Sequence, residues 1–244
     1  FFYFLSVKVP ASYTFMGNDG TYGDKVLDWF GVEKKKYSFR INGYDKKIIF
    51  NKNNSDINID QYGLLPEDII LLSVSRLEYW KRVDRIIYAF ASSQKVCPNL
   101  KYIIVGGGPE FERLKALSAL LGVEKKIIFT NRKPHSFVSS FIKRADIFAS
   151  CYEHSNMANP VIESCLCGKP IISINDGTTK DILIDNYNCL LADKNNIIAD
   201  LTSNLIKLSL DENLRKNLAS NSLKVAKEKI MSWDERMKLE ENEI

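Results

Sequence analysis

Paired cysteines, histidines and long apolar runs are all scarce in this chain. Its five cysteines form no Cys-x-x-Cys pair, and only His135 and His154 could join them. A zinc site is therefore disfavoured, and the odd count argues against a disulfide framework. Reduced, mostly buried thiols fit best. No apolar run approaches the ~20 residues that span a bilayer. The opening Phe-Phe-Tyr-Phe-Leu has no basic flank and no cleavage signal, so it is not read as a signal peptide. A Walker A loop is absent. The net charge of +4 over 244 residues is too small to argue for a nucleic-acid partner. The clusters Lys34-Lys35-Lys36 and Lys46-Lys47 read as solvated surface, with peripheral contact to an anionic membrane face as the alternative. The expected location is cytoplasmic. There is no initiator methionine and the chain opens inside an apolar run, so it is expected to be a fragment of a longer protein.

The remaining composition, 45% hydrophobic and 26% charged, is ordinary for a globular protein with room for one large domain or two small ones. From residue 69 onward, apolar β-branched runs alternate with amphipathic stretches. Strands are predicted at 69–74, 102–105, 126–130, 146–150, 171–174 and 189–191. Helices are predicted at 83–95, 110–121, 135–144, 197–208 and 211–229, with a tail helix from Trp233. Strands separated by single helices give a parallel sheet with right-handed crossovers, a doubly wound Rossmann-like α/β domain. Ligands in such sheets bind beyond the carboxyl ends of the strands. That gathers 75–81, 106–108, 130–134 and 152–159 around one crevice. Residues 1–44, with a helix near 24–30 and a strand at 37–41, read as the end of a separate domain. Residues 45–68 are polar and read as a structureless linker, itself a sign of a domain boundary.

The most informative span is Glu153-His-Ser-Asn-Met-Ala-Asn-Pro-Val-Ile-Glu163-Ser-Cys-Leu-Cys-Gly168-Lys-Pro170. Asn159 suits an N-cap and Pro160 the first helical position. Gly168 suits the residue just past the helix end, and Pro170 prevents continuation. Free N–H groups and the positive dipole end at such a helix start are a common phosphate site. Glu163, one turn in, is an acceptor-only side chain beside it. An anion site next to a hydroxyl acceptor is what a sugar nucleotide or ribose phosphate needs.

Arg76 and Lys81 follow the first strand of this domain. A rigid guanidinium fork and a flexible ammonium would suit a pyrophosphate, although spacing alone supports solvated loop cations equally well. Gly106-Gly-Gly-Pro resembles half of a dinucleotide fingerprint, but Phe111 stands where the third Gly belongs, and the next strand ends in Thr130-Asn131 rather than in an acid. A nicotinamide dehydrogenase is disfavoured, and a tight strand–helix turn is the better meaning of these glycines. His135 and His154 read as polar loop residues, and Cys165 and Cys167 as packing.

Ser-Arg-Leu-x-x-x-Lys-Arg-Val-Asp, Val-Gly-Gly-Gly-Pro-Glu, Ile-Phe-Thr-Asn and Asn-Pro-Val-Ile-Glu-Ser-Cys-Leu-Cys-Gly-Lys-Pro, in this order, resemble the donor half of the retaining GT-B glycosyltransferases of family 4, or group 1. The resemblance runs from about residue 69 to 193. It is extended weakly by Asn42-Gly43, similar to an interdomain turn, by Asn18-Asp-Gly-Thr-x-Gly-Asp24, similar to the closing helix of the first domain, and by Ser232-Trp233-x-x-Arg236, similar to a last helix that crosses back. It implies a remnant acceptor domain at 1–44, a donor domain at 69–228 and a crossing helix at 229–244.

The resemblance also implies roles. Arg76 and Lys81 would bind the donor diphosphate and balance charge on the departing nucleotide. Glu163 would hold the ribose hydroxyls. Asn156, Met157, Ala158 and Asn159 would form the loop that meets sugar and phosphates through its backbone, Asn131 and Arg132 would lie beside the base, and Gly107 would belong to the same crevice. No metal and no cofactor are implied beyond the nucleotide diphosphate sugar itself. The acceptor, whether glycan, lipid or protein, is not named. One departure stands out: Ser155 occupies the place of the first glutamate of the Glu-x7-Glu pair. Either Glu153 reaches in from a shifted loop, or Ser155 and Asn156 meet the sugar with neutral groups. The expected function is sugar transfer with retention of configuration. A non-catalytic nucleotide-sugar-binding module is the main alternative, ahead of a nucleotide-sugar epimerase or an NAD-type oxidoreductase.

Overall fold

Continuous apolar runs become the strands of one sheet because both of its faces are covered. A computed structural model describes residues 13–50 and 59–243. In the first segment β1 (Thr14–Asn18) leads through α1 (Gly23–Trp29) to β2 (Tyr37–Ile41), which pairs parallel with β1. A short helix α2 (Lys46–Phe50) follows. The main sheet contains β3 (Ile69–Val74), β4 (Leu100–Val105), β5 (Ile127–Phe129), β6 (Ile147–Ala149), β7 (Ile171–Asn175) and β8 (Cys189–Asp193). All of its pairings are parallel, in the order β5-β4-β3-β6-β7-β8. The connecting helices are α3 (Val83–Ser93), α4 (Phe111–Leu120), α5 (His135–Arg144) and α6 (Asn159–Leu166), and then α7 (Ile197–Leu210), α8 (Glu212–Lys229) and α9 (Trp233–Glu241) close the chain.

The sheet divides two apolar cores. Leu71, Tyr102 and Ile104 face a core with Ile86, Ile87 and Phe90 of α3 and Leu201, Leu205 and Leu208 of α7. Ile70, Leu72 and Ile103 face the other, with Phe141 and Ile142 of α5, Val161, Ile162 and Cys165 of α6, and Val225 of α8. Alternate residues of each strand thus feed opposite layers, the doubly wound α/β architecture expected. All five cysteines are free, and four are buried. No helix among the described residues is long and apolar enough to cross a membrane.

The strand order matters for function. The chain winds outward from β3 to β5, then restarts at β6 on the other side of β3. The loops after β3 and β6 therefore diverge at the switch point, where an α/β sheet opens a crevice. Gly106, just after β4, closes one wall with φ +148, and a Cβ there would overlap the Ser75 carbonyl oxygen. Gly106→Ala combines forbidden backbone geometry with a backbone clash, and is expected to cost about 2–4 kcal/mol. A thermal unfolding midpoint equal to that of the unaltered chain would refute this.

The polar linker reading is corrected in part. Lys46–Phe50 is helical, and Ile49 and Leu64 are buried on the α5–α6 side of the sheet. Burial of those two apolar side chains, inconspicuous among Lys, Asn and Asp, ties both ends of the segment to the domain. Residues 51–58, and residues 1–12 of the first segment, lie outside the described residues. Tyr44 pairs with Ser232, and the Trp233 N–H donates to the Tyr44 carbonyl at 3.0 Å. Gly43 is needed there, because a Cβ would lie 2.7 Å from the Trp233 ring. Helix α9 begins with a capping box, Ser232 with Glu235, and Arg236 reaches the Ile41 carbonyl at 3.1 Å. The last helix thus rests on the first segment.

Candidate active site

An open crevice of about 540 Å³ lies at the switch point. It is walled by Ser75 and Arg76 after β3, Gly106 and Gly107 after β4, Arg132 and Lys133 after β5, and Pro160 at the start of α6. The structure therefore brings Arg76, Gly107 and Arg132 together. Arg76 is largely exposed, and its only ion pair among the described residues is with Glu78 at 2.5 Å, so the guanidinium is presented to solvent at the crevice mouth. Asn131 stands at φ +60, bridges to Gly106, and accepts the Arg132 N–H at 2.7 Å. Its Oδ1 would lie 2.5 Å from a Cβ on Gly107. Glycine there lets the two loops meet and leaves bare backbone at the crevice wall.

Lys81 sits differently from Arg76. It is 8% exposed, and its Nζ lies 3.9 Å from the Trp80 ring centroid and 3.7 Å from that of Tyr152. Burial pushes its pKa down to about 8; the negative Asp19 opposes this and the positive Arg76 adds to it. Tyr152 is locked by its hydroxyl to the Val74 carbonyl at 3.1 Å. Two aromatic faces thus hold an ammonium that has little water and, among the described residues, no hydrogen-bond partner. Such a cation is poised for an incoming anion.

The span 153–163 departs from its sequence reading in three places. Ala158, not Asn159, is the N-cap, and it makes no side-chain cap. Asn159 is the first helical residue, and its side chain meets Asn42 at 3.4 Å. Pro160 has no N–H, and Val161 donates its own to the Ala158 carbonyl at 2.9 Å. The helix therefore offers an anion its dipole and few amides. The C-terminal end is as expected: Gly168 has φ +61, and the N–H groups of Gly168 and Lys169 return to Cys165 and Ser164.

The loop ahead of α6 is also already committed. Asn156 is fully buried and spends its amide on Tyr152, at 3.0 Å from both N and O, and on Asp176 at 2.7 Å. Met157 is fully buried in the core and gives its N–H to the Asp19 carbonyl. The expectation that Asn156 offers a neutral group to a ligand is thus corrected, as is a ligand contact through the Met157 amide. Glu153 is held by Arg82 and by Arg85, the latter at 2.7 Å, rather than reaching into the crevice. The two guanidiniums on the flank of α3 outcompete a site that offers no fixed partner. Ser155 adopts φ +65, and its hydroxyl donates to Asp19 at 2.7 Å.

Glu163 is 5% exposed, and its Oε1 meets His135 Nε2 at 2.7 Å. Burial raises its pKa, and the His135 hydrogen bond pulls partly the other way. His135 is thus the first residue of α5 and a partner of the buried acid, not a free loop residue. Among the described residues no three His, Cys, Asp or Glu side chains are grouped to hold a metal ion.

Comparison with known proteins agrees in one direction. The sequence model of the family described as glycosyl transferases group 1 matches residues 54–225. An uncharacterised glycosyltransferase of Methanocaldococcus jannaschii is 30% identical over 236 residues, covering 88% of this chain and 59% of that protein. The N-acetyl-alpha-D-glucosaminyl L-malate synthase of Bacillus anthracis is 25% identical over 74% of this chain and 46% of its own length. The chain thus spans about half the length of the curated relatives it matches. Among solved structures, Anabaena Alr3699/HepE in complex with UDP and glucose superposes with a TM-score of 0.78 at 19% identity, over 95% of this chain and 62% of that one.

Proposed function

The chain belongs to the glycosyl transferases group 1 family, and on that premise we propose that it carries the donor half of an enzyme that moves a sugar from a nucleotide diphosphate sugar to an acceptor, with retention of configuration. The observation that carries this reading is the crevice at the switch point, walled by Arg76, Arg132, Lys133 and the start of α6; Lys81 and Glu163 do not line it in the unliganded chain, and the reading places them at its ends. The diphosphate lies against Arg76 and Lys81, with the dipole of α6 beyond it. Arg76 closes over it from the mouth, and Lys81 receives it from between its two rings. The ribose hydroxyls donate to Glu163, and the base lies along Asn131 and Arg132. As the glycosidic bond breaks, negative charge grows on the leaving diphosphate, and these cations stabilise it once Arg76 has closed. Since side-chain cations and the helix dipole supply this charge, turnover is expected to persist in a chelator.

A panel of nucleoside diphosphates and nucleotide sugars, scored by thermal shift, tests the reading. One nucleotide class is expected to raise the unfolding midpoint of this chain, and both Lys81→Ala and Glu163→Ala are expected to remove the rise. No rise with any diphosphate would defeat the donor-site assignment. Retention is read from the anomeric configuration of the product formed by the whole enzyme.

A further inference from the structure

Asp19 belongs to the first segment, yet its side chain lies against the donor-side loop. Its Oδ2 accepts the Ser155 hydroxyl at 2.7 Å, and its Oδ1 accepts the Thr21 hydroxyl at 2.7 Å. Its carbonyl accepts the Met157 N–H at 2.9 Å. The turn is held from behind as well: the Gly20 N–H donates to Asn18 at 3.1 Å, and Asn18 donates to Asp181 at 3.2 Å. Gly20 packs so closely on the loop that a Cβ would lie 2.7 Å from the Met157 nitrogen. The carboxylate is therefore fixed in place, and it remains half-buried rather than sealed.

The neighbouring polar groups are spent. Asn156 is consumed by Tyr152 and Asp176, Glu153 is held by two arginines, and the Ser155 hydroxyl already donates its hydrogen bond to Asp19. Asp19 has not been exhausted. An ionised carboxylate offers about four lone-pair positions, and the two hydroxyl donors occupy one on each oxygen. Its negative charge also favours the protonated form of Lys81. A group bonded to a diphosphate seated on Lys81 would arrive beside this carboxylate, presenting hydroxyls.

We infer that Asp19 is a specificity-determining carboxylate of the donor site, accepting hydrogen bonds from hydroxyls of the transferred sugar, so that the first segment completes a site otherwise built from the donor domain. This rests on the donor-site reading above. It also assigns the recognition of the sugar to residue 19, not to residues 153–156. Its charge has a second consequence. A carboxylate near a diphosphate repels it, so Asp19 weakens a bare nucleoside diphosphate and strengthens only one that carries a sugar.

The test uses this chain with UDP, UDP-glucose, GDP and GDP-mannose in calorimetric titrations, on the unaltered protein, Asp19→Asn and Ser155→Ala. Loss of hydrogen bonds to a charged acceptor is worth about tenfold or more in affinity. Titrated well below pH 8, where Lys81 is charged in both proteins, Asp19→Asn is accordingly expected to weaken the preferred nucleotide sugar by at least about tenfold and to leave its nucleoside diphosphate unchanged or tighter. Ser155→Ala keeps the carboxylate and is expected to keep the preference for the sugar-bearing ligand. If Asp19 were only a staple for the loop, Asp19→Asn would weaken sugar and diphosphate equally and Ser155→Ala would follow it; either result overturns the inference while leaving the diphosphate site standing. Failure of all four nucleotides to bind the unaltered chain would overturn the donor-site reading and this inference with it.

Discussion

Replacing Lys81 by methionine is expected to lower turnover of the whole enzyme by about 10²–10³-fold, the usual cost of losing one preorganised charge on a leaving group, while raising the unfolding midpoint of the unliganded chain. The two effects share one cause. Lys81 is nearly inaccessible between Trp80 and Tyr152, and burial lowers its pKa to about 8. An unfolded lysine titrates near 10.4. The folded state thus binds fewer protons than the unfolded state between about pH 8 and pH 10.4, and stability rises with pH across that window. Below pH 8 the full penalty of a poorly solvated ammonium is present, and methionine fills the same space without it. Affinity for a diphosphate runs the opposite way, falling as pH rises through 8 and Lys81 loses its charge. Arg76, always charged, should hold a residual, pH-independent part of that affinity. Near-normal turnover in Lys81→Met would end the leaving-group role; a lowered midpoint would mean the aromatic pair stabilises the cation more than burial penalises it.

The parts of the fold legible in sequence were those written as uninterrupted runs. The strand 69–74 and the helix 135–144 match the structure residue for residue, because burial on both sheet faces and an amphipathic period each leave a clear signature. Strand β8 extends to Asp193, beyond the expected Leu191, because pairing with Ile174 and Asn175 outweighs the weak strand preference of Ala192 and Asp193. Arg76, Gly107 and Arg132 meet in one crevice because the chain-order rule for parallel sheets puts every strand's carboxyl end on one side. His135 and Asp19 carried no such rule. His135 reaches Glu163 across 28 positions and Asp19 reaches Ser155 across 136, distances bridged only once β6 inserts beside β3 and the first segment rests on the loop after it. The fate of Glu153 was equally hidden, because it depends on which face of α3 turns Arg85 toward the loop.

Glu163→Ala is expected to reduce nucleotide affinity by about 10²-fold, as a site built to pair with hydroxyls does when one strong acceptor is lost, and to erase the preference for ribonucleotides over 2′-deoxyribonucleotides. The physical case starts from burial. Glu163 keeps an acceptor in a place with almost no water, its pKa raised by that burial and restrained by His135 at 2.7 Å. A carboxylate in such a place is stabilised by donors, and the unliganded chain offers it the imidazole. A ribose would offer it hydroxyls, and the resulting bonds form away from competing water, which gives them discriminating power. The pH dependence follows with a definite sign. The carboxylate accepts fully only above its own pKa, so affinity falls on acidification through that raised value. His135→Ala withdraws the interaction that holds the pKa down, so in that variant the fall begins at a higher pH than in the unaltered chain. Titrations of a ribonucleotide and its 2′-deoxy counterpart against the three proteins, from acid to neutral pH, separate these effects. An undiminished ribose preference in Glu163→Ala would mean that the acid serves the fold and not the ligand, since a merely structural carboxylate has no means of counting ribose hydroxyls.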